Sequence, residues 1–375
     1  MGPAVVLGLS RFAYALLLPT MRADLGWSFA DAGALNTGNA AGYLAGALFA
    51  NGLGGRVGHK TAFVSALLLT SLATGASAVA VSFPALLALR FLAGLSGAVA
   101  FVVGAGLTAG FNASPKRSST LLGLYFAGAG IGVTASALLV PPLLATVGWR
   151  GGWLALGALA LGATLWAGAV IRRVPPPPLR KLIGGRAWSP GSMTFLLVSY
   201  GLYGAGYIAY ATFIVAFLRD TEGFNAVAIT TFWSVLGLSS VFGAFAWGPI
   251  LARLRGGLCA AATIGVVAAG TALPIALPSP LASYTSAILF GGSFLAVIAS
   301  VTSFVRRTTE PEAWTAAIGA LTISFGLGQC IGPVLSGAMA DGPDGIRPGL
   351  WVSVGILIAA SVIAALQPEP ARKDA

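Results

Sequence analysis

The sequence predicts an all-α membrane protein, with twelve transmembrane helices in two pseudo-symmetric six-helix bundles. Three observations predict it. First, 57% of the 375 residues are hydrophobic and only 8% are charged, against about 25% charged in soluble domains. No soluble fold hides that much apolar surface. Second, the apolar residues fall into twelve runs close to the ~20 residues that cross a bilayer as a helix. Third, the two halves of the chain echo each other at a nearly constant offset.

The spans, in order, begin with residues 3–20. This run is not read as a cleaved signal peptide: it has no basic n-region, Arg11 interrupts it, and no A-x-A-like site follows. Span two, 30–50, starts at Asp31, where a helix N-terminus favours a carboxylate. It carries Asn36, Asn39 and Tyr43 at i, i+3 and i+7, and the small-residue pair Gly42/Gly46. Span three covers 61–81. Span four, 84–111, holds Arg90, with Gly94, Gly97, Phe101 and Gly104 continuing its face. Span five, 119–140, has a second small pair, Gly128/Gly132, and span six covers 151–171.

The stretch "RRVPPPPLRKLIGGRAWSP", residues 172–190, is stiffened by its proline run and reads as a linker. It divides an N-terminal bundle, 1–171, from a C-terminal bundle, 191–375. Span seven, 191–218, places Tyr200, Tyr203, Tyr207 and Tyr210 at helical spacing among Gly201, Gly204 and Gly206. Spans eight to ten cover 227–251, 258–277 and 281–305. Span eleven, 314–339, contains Thr322 and the Gln329 of "GLGQCIGP", and span twelve covers 347–366. Trp27, Trp149 and Trp188 fall at span ends and read as interfacial anchors.

The echo is carried by three matches. "FADAGALNTGNAAGYLAGALFA" from Phe29 resembles "FNAVAITTFWSVLGLSSVFGAF" from Phe224, which sets Gly42 opposite Gly237. "FAGAGIG" from Phe126 resembles "FGLGQCIG" from Phe325, and "RGGWLALGAL" from Arg150 resembles "RPGLWVSVGIL" from Arg347. Repeated six-span halves put a binding site at the bilayer midplane between them.

Basic residues set the orientation. With both termini in the cytoplasm, fifteen Lys and Arg fall in cytoplasmic loops and tail, and only Arg22, Arg150, Arg219 and Arg347 on the other side. That distribution accounts for the net charge of +11 without a nucleic-acid partner. Cys259 and Cys330 form no C-x-x-C, and His59 is the sole histidine, so neither a disulfide framework nor a metal site is expected. "GLGGRVGHK" does not satisfy G-x-x-x-x-G-K-[ST], so no ATP site or other cofactor is read. With no His, Asp or Glu at depth, an enzyme is not expected.

Two of the 21 basic residues, Arg11 and Arg90, lie inside spans. An arginine at mid-bilayer costs about 2.5–3.5 kcal/mol on insertion scales, so each faces protein or a wet cavity. Arg11 is eight residues from both Pro3 and Pro19 and reaches neither surface easily. It reads either as an anion-binding guanidinium with the Tyr14 phenol one turn on, or as a structural group on neighbouring carbonyls. Arg90 reads as a second anion contact or an internal strut. None of the ten acidic residues falls deep in a span, so these arginines lack a fixed counter-ion. That favours an anionic substrate, most simply a carboxylate. The expected binding set is Arg11, Tyr14, Asn36, Asn39, Arg90, Tyr203, Tyr207 and Gln329. The tyrosines have the alternative of simple interhelical packing.

After span two, "NGLGGRVGHK" resembles the loop motif G-x-L-x-D-R-x-G-R-R/K of the major facilitator superfamily, with Leu53, Arg56, Gly58 and Lys60 matching. Asn51, Gly55 and His59 depart from it, and Gly55 stands where the latching Asp is usual. In span four, Arg90, Gly94 and Gly97 match a second motif of that superfamily. More narrowly, "RFAYALLLPTM" followed by "NTGNAAGYLAGAL" is similar to its bacterial YbfB/YjiJ-like branch. The resemblance covers the whole chain. It implies a monomeric secondary transporter of the bacterial inner membrane, with Arg56, Gly58 and Lys60 at a cytoplasmic gate. Its partners are then the bilayer, a small-molecule substrate and a coupling ion or counter-anion. The expected cargo is a small carboxylate-like anion. The alternatives are an exporter of hydrophobic or drug-like compounds with structural arginines and, more remotely, a non-transporting sensor or scaffold.

Overall fold

The computed structural model describes residues 1–110, 115–173, 190–310 and 313–369, and these form helices and short connections with no strand among them. Helix α1 (Ala4–Leu25) begins as a π-helix, Ala4–Phe12, and continues as an α-helix from Tyr14. Then come α2 (Phe29–Val57), α3 (His59–Ala76) and α4 (Phe83–Gly110). The helical stretch Pro115–Arg172 is broken at Gly148, whose φ of 62° only glycine adopts readily. The break separates α5 (115–147) from α6 (149–172). The second half consists of α7 (Thr194–Asp220), α8 (Ala226–Leu251), α9 (Leu258–Ala276), α10 (Pro280–Thr308), α11 (Trp314–Ala340) and α12 (Ile346–Ala365). Most of the linker, residues 174–189, lies outside the described residues, as does Trp188.

The helix starts are written in the local sequence. Ser28 caps α2 in a reciprocal box with Asp31. Asn225 and Ser279 accept from the backbone N–H groups of Ala228 and Ala282 at the starts of α8 and α10. Nine stretches among the described residues are long and apolar enough to span a bilayer, one of them, Leu121–Arg172, holding both α5 and α6. Large apolar side chains such as Phe49, Leu138, Trp166, Phe242, Ile331 and Val362 point outward, as a lipid-facing surface requires.

One motif sits differently from its expected place. The segment 51–57 is not a loop but the last two turns of α2, which ends at Gly58 with φ 86°.

The bundles repeat each other contact for contact. In the first, α1 packs on α5 and α6, α2 on α4, and α3 on α4 and α6. In the second, α7 packs on α11 and α12, α8 on α10, and α9 on α10 and α12. Missing side chains let backbones meet. Gly8 and Gly132 bring α1 onto α5, and Gly42 and Gly46 bring α2 onto Phe91 and Leu95 of α4. Two main seams join the bundles, α2 against α11 and α5 against α8, and α1 meets α7 in a smaller contact. At the second seam Gly130 and Gly237 face each other beside Thr134 and Ser240.

Candidate binding cavity

Because the number of spans is even, both ends of the chain lie on one side, called here the terminus side. Contacts across the halves cluster on the far side and at mid-depth. On the far side Asp341, just past α11, accepts from the Phe29 and Ala30 backbone N–H groups at 2.6 and 3.0 Å. A carboxylate on a helix N-terminus is stabilised by the aligned peptide dipoles. Arg22 lies 3.8 Å from Asp220 and 4.0 Å above the Phe29 ring, and Arg219 donates to Thr20 at 2.9 Å. Deeper in, Asn36 donates to Thr212 and Thr37 to the Cys330 carbonyl. Gly33 lies against Pro333, and Gly337 against Phe29. The deepest of these contacts joins Arg11 to Gln329: the guanidinium Nη2 donates to Oε1 of the amide.

On the terminus side of that bond lies a small cavity between the bundles. Arg11 is its one charged lining group. Tyr43, Phe101, Tyr203, Tyr207, Phe294 and Phe325 supply its aromatic walls, with Leu7 and Ile298 nearer the chain termini. The rings form a column: Phe325 stacks on Tyr200, Tyr203 and Tyr207 with centroids 4.6, 5.8 and 5.5 Å away. The Tyr203 hydroxyl donates to the Phe294 carbonyl at 2.6 Å. The hydroxyls of Tyr43 and Tyr207 bond no protein group among the described residues, which leaves them for a solute. Arg11 lies 5.2 Å from the Tyr43 ring centroid, a contact worth about 0.5–2 kcal/mol when desolvated.

Arg11 is only 5% exposed and Gln329 1%, yet each keeps a buried N–H without an acceptor: Nε of the arginine and Nε2 of the amide. Leaving such a donor unpaired costs about 1–3 kcal/mol. Among the described residues no carboxylate approaches Arg11, and no group of acidic, His or Cys side chains has the makings of a metal site.

The eight residues singled out from sequence divide into three sets. Arg11, Tyr203 and Tyr207 line the cavity. Asn36 and Gln329 reach across the seam between bundles. Tyr14, Asn39 and Arg90 lie away from the cavity, inside the first bundle. Arg90 and Arg11 do not open onto one space: Arg90 is 1% exposed, donates to the Ser10 carbonyl at 2.8 Å and lies 4.9 Å over the Trp153 ring. Asn39 donates to the Arg90 carbonyl at 2.9 Å, and Tyr14 donates to the Ala32 carbonyl at 2.8 Å while stacking on Trp153. The Tyr14 ring turns from the cavity because the π-helical turns before it alter the angular step along α1. At the proposed gate, Arg56 and Gly58 are exposed, and Arg56 makes no hydrogen bond or ion pair among the described residues. Trp149, expected as an anchor in the interface, is instead buried and donates to Asp24 at 2.8 Å.

Sequence reasoning passed over the phenylalanines. Phe294 and Phe325 had no chemical signal, and only the repeat that begins at Phe325 marked one of them.

Twelve helices in two related bundles, with a polar-tipped cavity at mid-depth between them, define a transporter of the major facilitator type. The chain belongs to the family described as "Uncharacterised MFS-type transporter YbfB", whose profile matches residues 3–365. That family is one of transporters rather than enzymes, and the chain is a multi-pass membrane protein. It is 26% identical over 373 residues to a "Chloramphenicol resistance protein" of Streptomyces lividans, covering 96% of this chain and 92% of that one. Among solved structures, the nucleoside transporter NupG superposes with a TM-score of 0.78 at 14% identity, covering 97% of this chain and 98% of that one. A bacterial homologue of the human lysosomal transporter Spinster gives 0.70 at 16% identity, covering 97% and 95%. At those identities the likeness speaks to the fold alone.

Proposed function

We propose that this transporter moves a small organic anion with a flat apolar body. The carboxylate sits against Arg11 and the body lies among Tyr43, Tyr203, Tyr207, Phe294 and Phe325. One observation carries the reading: the guanidinium of a residue only 5% exposed tips an aromatic cavity with only a neutral amide as its hydrogen-bond partner. A buried cation with no anion of its own is costly, and a mobile carboxylate supplies what the fold omits. Carboxylates pair with guanidinium through two parallel hydrogen bonds, and the free Nε of Arg11 is available for one of them.

In this reading the protein sits in the bacterial inner membrane as a monomer, both termini in the cytoplasm, and the cavity opens inward. The bundles rock about the two seams, so the cavity faces each side in turn. A coupling ion or counter-anion drives the cycle. A cargo charge that neutralises Arg11 lowers the cost of enclosing it.

The test is binding to purified protein by thermal shift. Benzoate, 4-hydroxybenzoate and indole-3-acetate raise the melting temperature, because a ligand selective for the folded state stabilises it. Their uncharged amides do not, and Arg11→Ala abolishes the effect. Stabilisation equal for acids and amides, or retained in Arg11→Ala, rejects the anion.

The aromatic walls and the Streptomyces relative's name favour a second reading, export of drug-like compounds. It expects bacteria expressing the protein to tolerate more chloramphenicol, with Arg11→Ala as protective as the wild type.

A further inference from the structure

The pairing of Arg11 with Gln329 spans the two bundles. It leaves each partner with one unsatisfied buried donor, Nε and Nε2. A group placed only for packing would not bring a side-chain amide oxygen onto a guanidinium while stranding its own N–H. We propose that Gln329 is the transporter's internal substitute for cargo. Its amide oxygen occupies Nη2 of Arg11 when the cavity is empty, and an arriving carboxylate displaces it. The inference rests on the anion reading above and extends it to the empty half of the transport cycle.

The argument runs from the geometry of the seam. Arg11 belongs to α1 and Gln329 to α11, so the bond is made across the interface that must be enclosed when the carrier changes sides. Without an acceptor there, an empty carrier would enclose an unpaired cation and stall, and only loaded carriers would cross. That behaviour is obligatory exchange. A neutral acceptor makes the empty crossing possible, while a carboxylate in its place would hold the cation too well to release it to cargo. An amide is strong enough to partner Arg11 and weak enough to yield, because hydrogen bonds between two ions are stronger than those to a neutral group. The structure therefore assigns Gln329 the choice between net transport and exchange. The other polar side chains near the seam are turned to different partners: Asn36 donates to Thr212, and Thr37 to the Cys330 carbonyl.

The experiment uses the full-length protein, with 4-hydroxybenzoate as probe, in detergent for affinity and in liposomes for flux above the passive leak. Gln329→Met keeps the length and removes the acceptor. It is expected to bind the probe about tenfold more tightly, the size of one lost competing hydrogen bond to a charged group. Net efflux slows relative to exchange. Gln329→Glu gives Arg11 a resident anion, so probe affinity falls about 100-fold and net efflux is lost with it. Weaker binding in Gln329→Met, or an unchanged ratio of efflux to exchange, overturns the proposal. If probe binding is lost in Arg11→Ala while both Gln329 variants behave as wild type, only this inference fails. If the wild type does not bind the probe, the anion reading fails and takes the inference with it.

Discussion

Arg11 and Arg90 share a residue type, and both look functional in the sequence because an intramembrane charge is expensive. Their surroundings separate them. Arg90 is enclosed by Trp153, the Ser10 carbonyl and the Tyr14 ring, with centroid distances of 4.9 and 6.0 Å to the two rings. It ties α4 to α1 and α6. Arg90→Ala should therefore lower stability by about 1–3 kcal/mol, since it strands a buried carbonyl, and leave the affinity of the folded fraction for 4-hydroxybenzoate unchanged. Detergent melting with binding on the same preparation checks both halves of that statement. Arg11→Ala should do the reverse, abolishing anion binding at little cost in stability, because it removes a partly unsatisfied buried cation. The sequence revealed both charges and their missing counter-ions. Which one faces water depended on side chains from α2, α7, α10 and α11 that no local pattern brings together.

At the scale of elements, apolar run length and the basic-loop pattern were enough to find all twelve helices, since both follow from the bilayer itself. Breaks in regularity were not legible. The π-helical start of α1 has no marker in "AVVLGLSRF", yet it governs which way Tyr14 points. The echo that set Gly42 opposite Gly237 found the right helices but not the right faces: Gly42 packs within its bundle, whereas Gly237 meets Gly130 across the seam. Gly237→Leu should force α5 and α8 apart at a cost of about 1–3 kcal/mol of overpacking, read as a lowered melting temperature with slowed flux. The end of α12 offers a pH prediction. Glu369 accepts from the Gly256 backbone at 2.6 Å and lies 3.3 Å from Arg307. The Gly256 hydrogen bond, with Arg307 assisting, holds its carboxyl below the usual carboxylate range. A depressed folded-state value means that the tether stabilises fully above the ordinary carboxylate pKa and is lost as pH falls through the lowered one. Glu369→Gln should flatten the acid side of the melting-temperature profile and leave the alkaline side unchanged.

At the scale of the whole molecule, the two sides are closed by different means. Asp341, Arg22, Asp220 and Arg219 fasten the far side. On the terminus side, Gly55 replaces the motif's latching carboxylate and Arg56 stands exposed. Asp341→Asn weakens its hold on the α2 N-terminus, since it exchanges a charge for a dipole, and should shift the population toward far-side opening. Spin labels at Ala23→Cys and Thr221→Cys would report a longer mean distance; an unchanged distribution would remove Asp341 from the latch. The sequence showed the missing aspartate but not its counterweight, because Asp341 reads as an ordinary loop acid until α2 is placed beside it.

The near-complete enclosure of α1 bears on how the protein is made. Its most apolar window is 94% buried and that of α7 is 89%, against 33–61% in the other stretches measured. Helix α1 is thus made before the helices that enclose it, has the most buried of the stretches measured, and carries a charge. Until α3 and α4 emerge, Ser10 has no partner; until α5 emerges, Gly8 has none; and until α11 emerges, Arg11 has no hydrogen-bond partner. Biogenesis must then shelter α1 at the translocon, or leave it loosely inserted, through most of translation. Truncations that stop before α11 should be degraded faster than the full chain, and Arg11→Leu should slow that degradation.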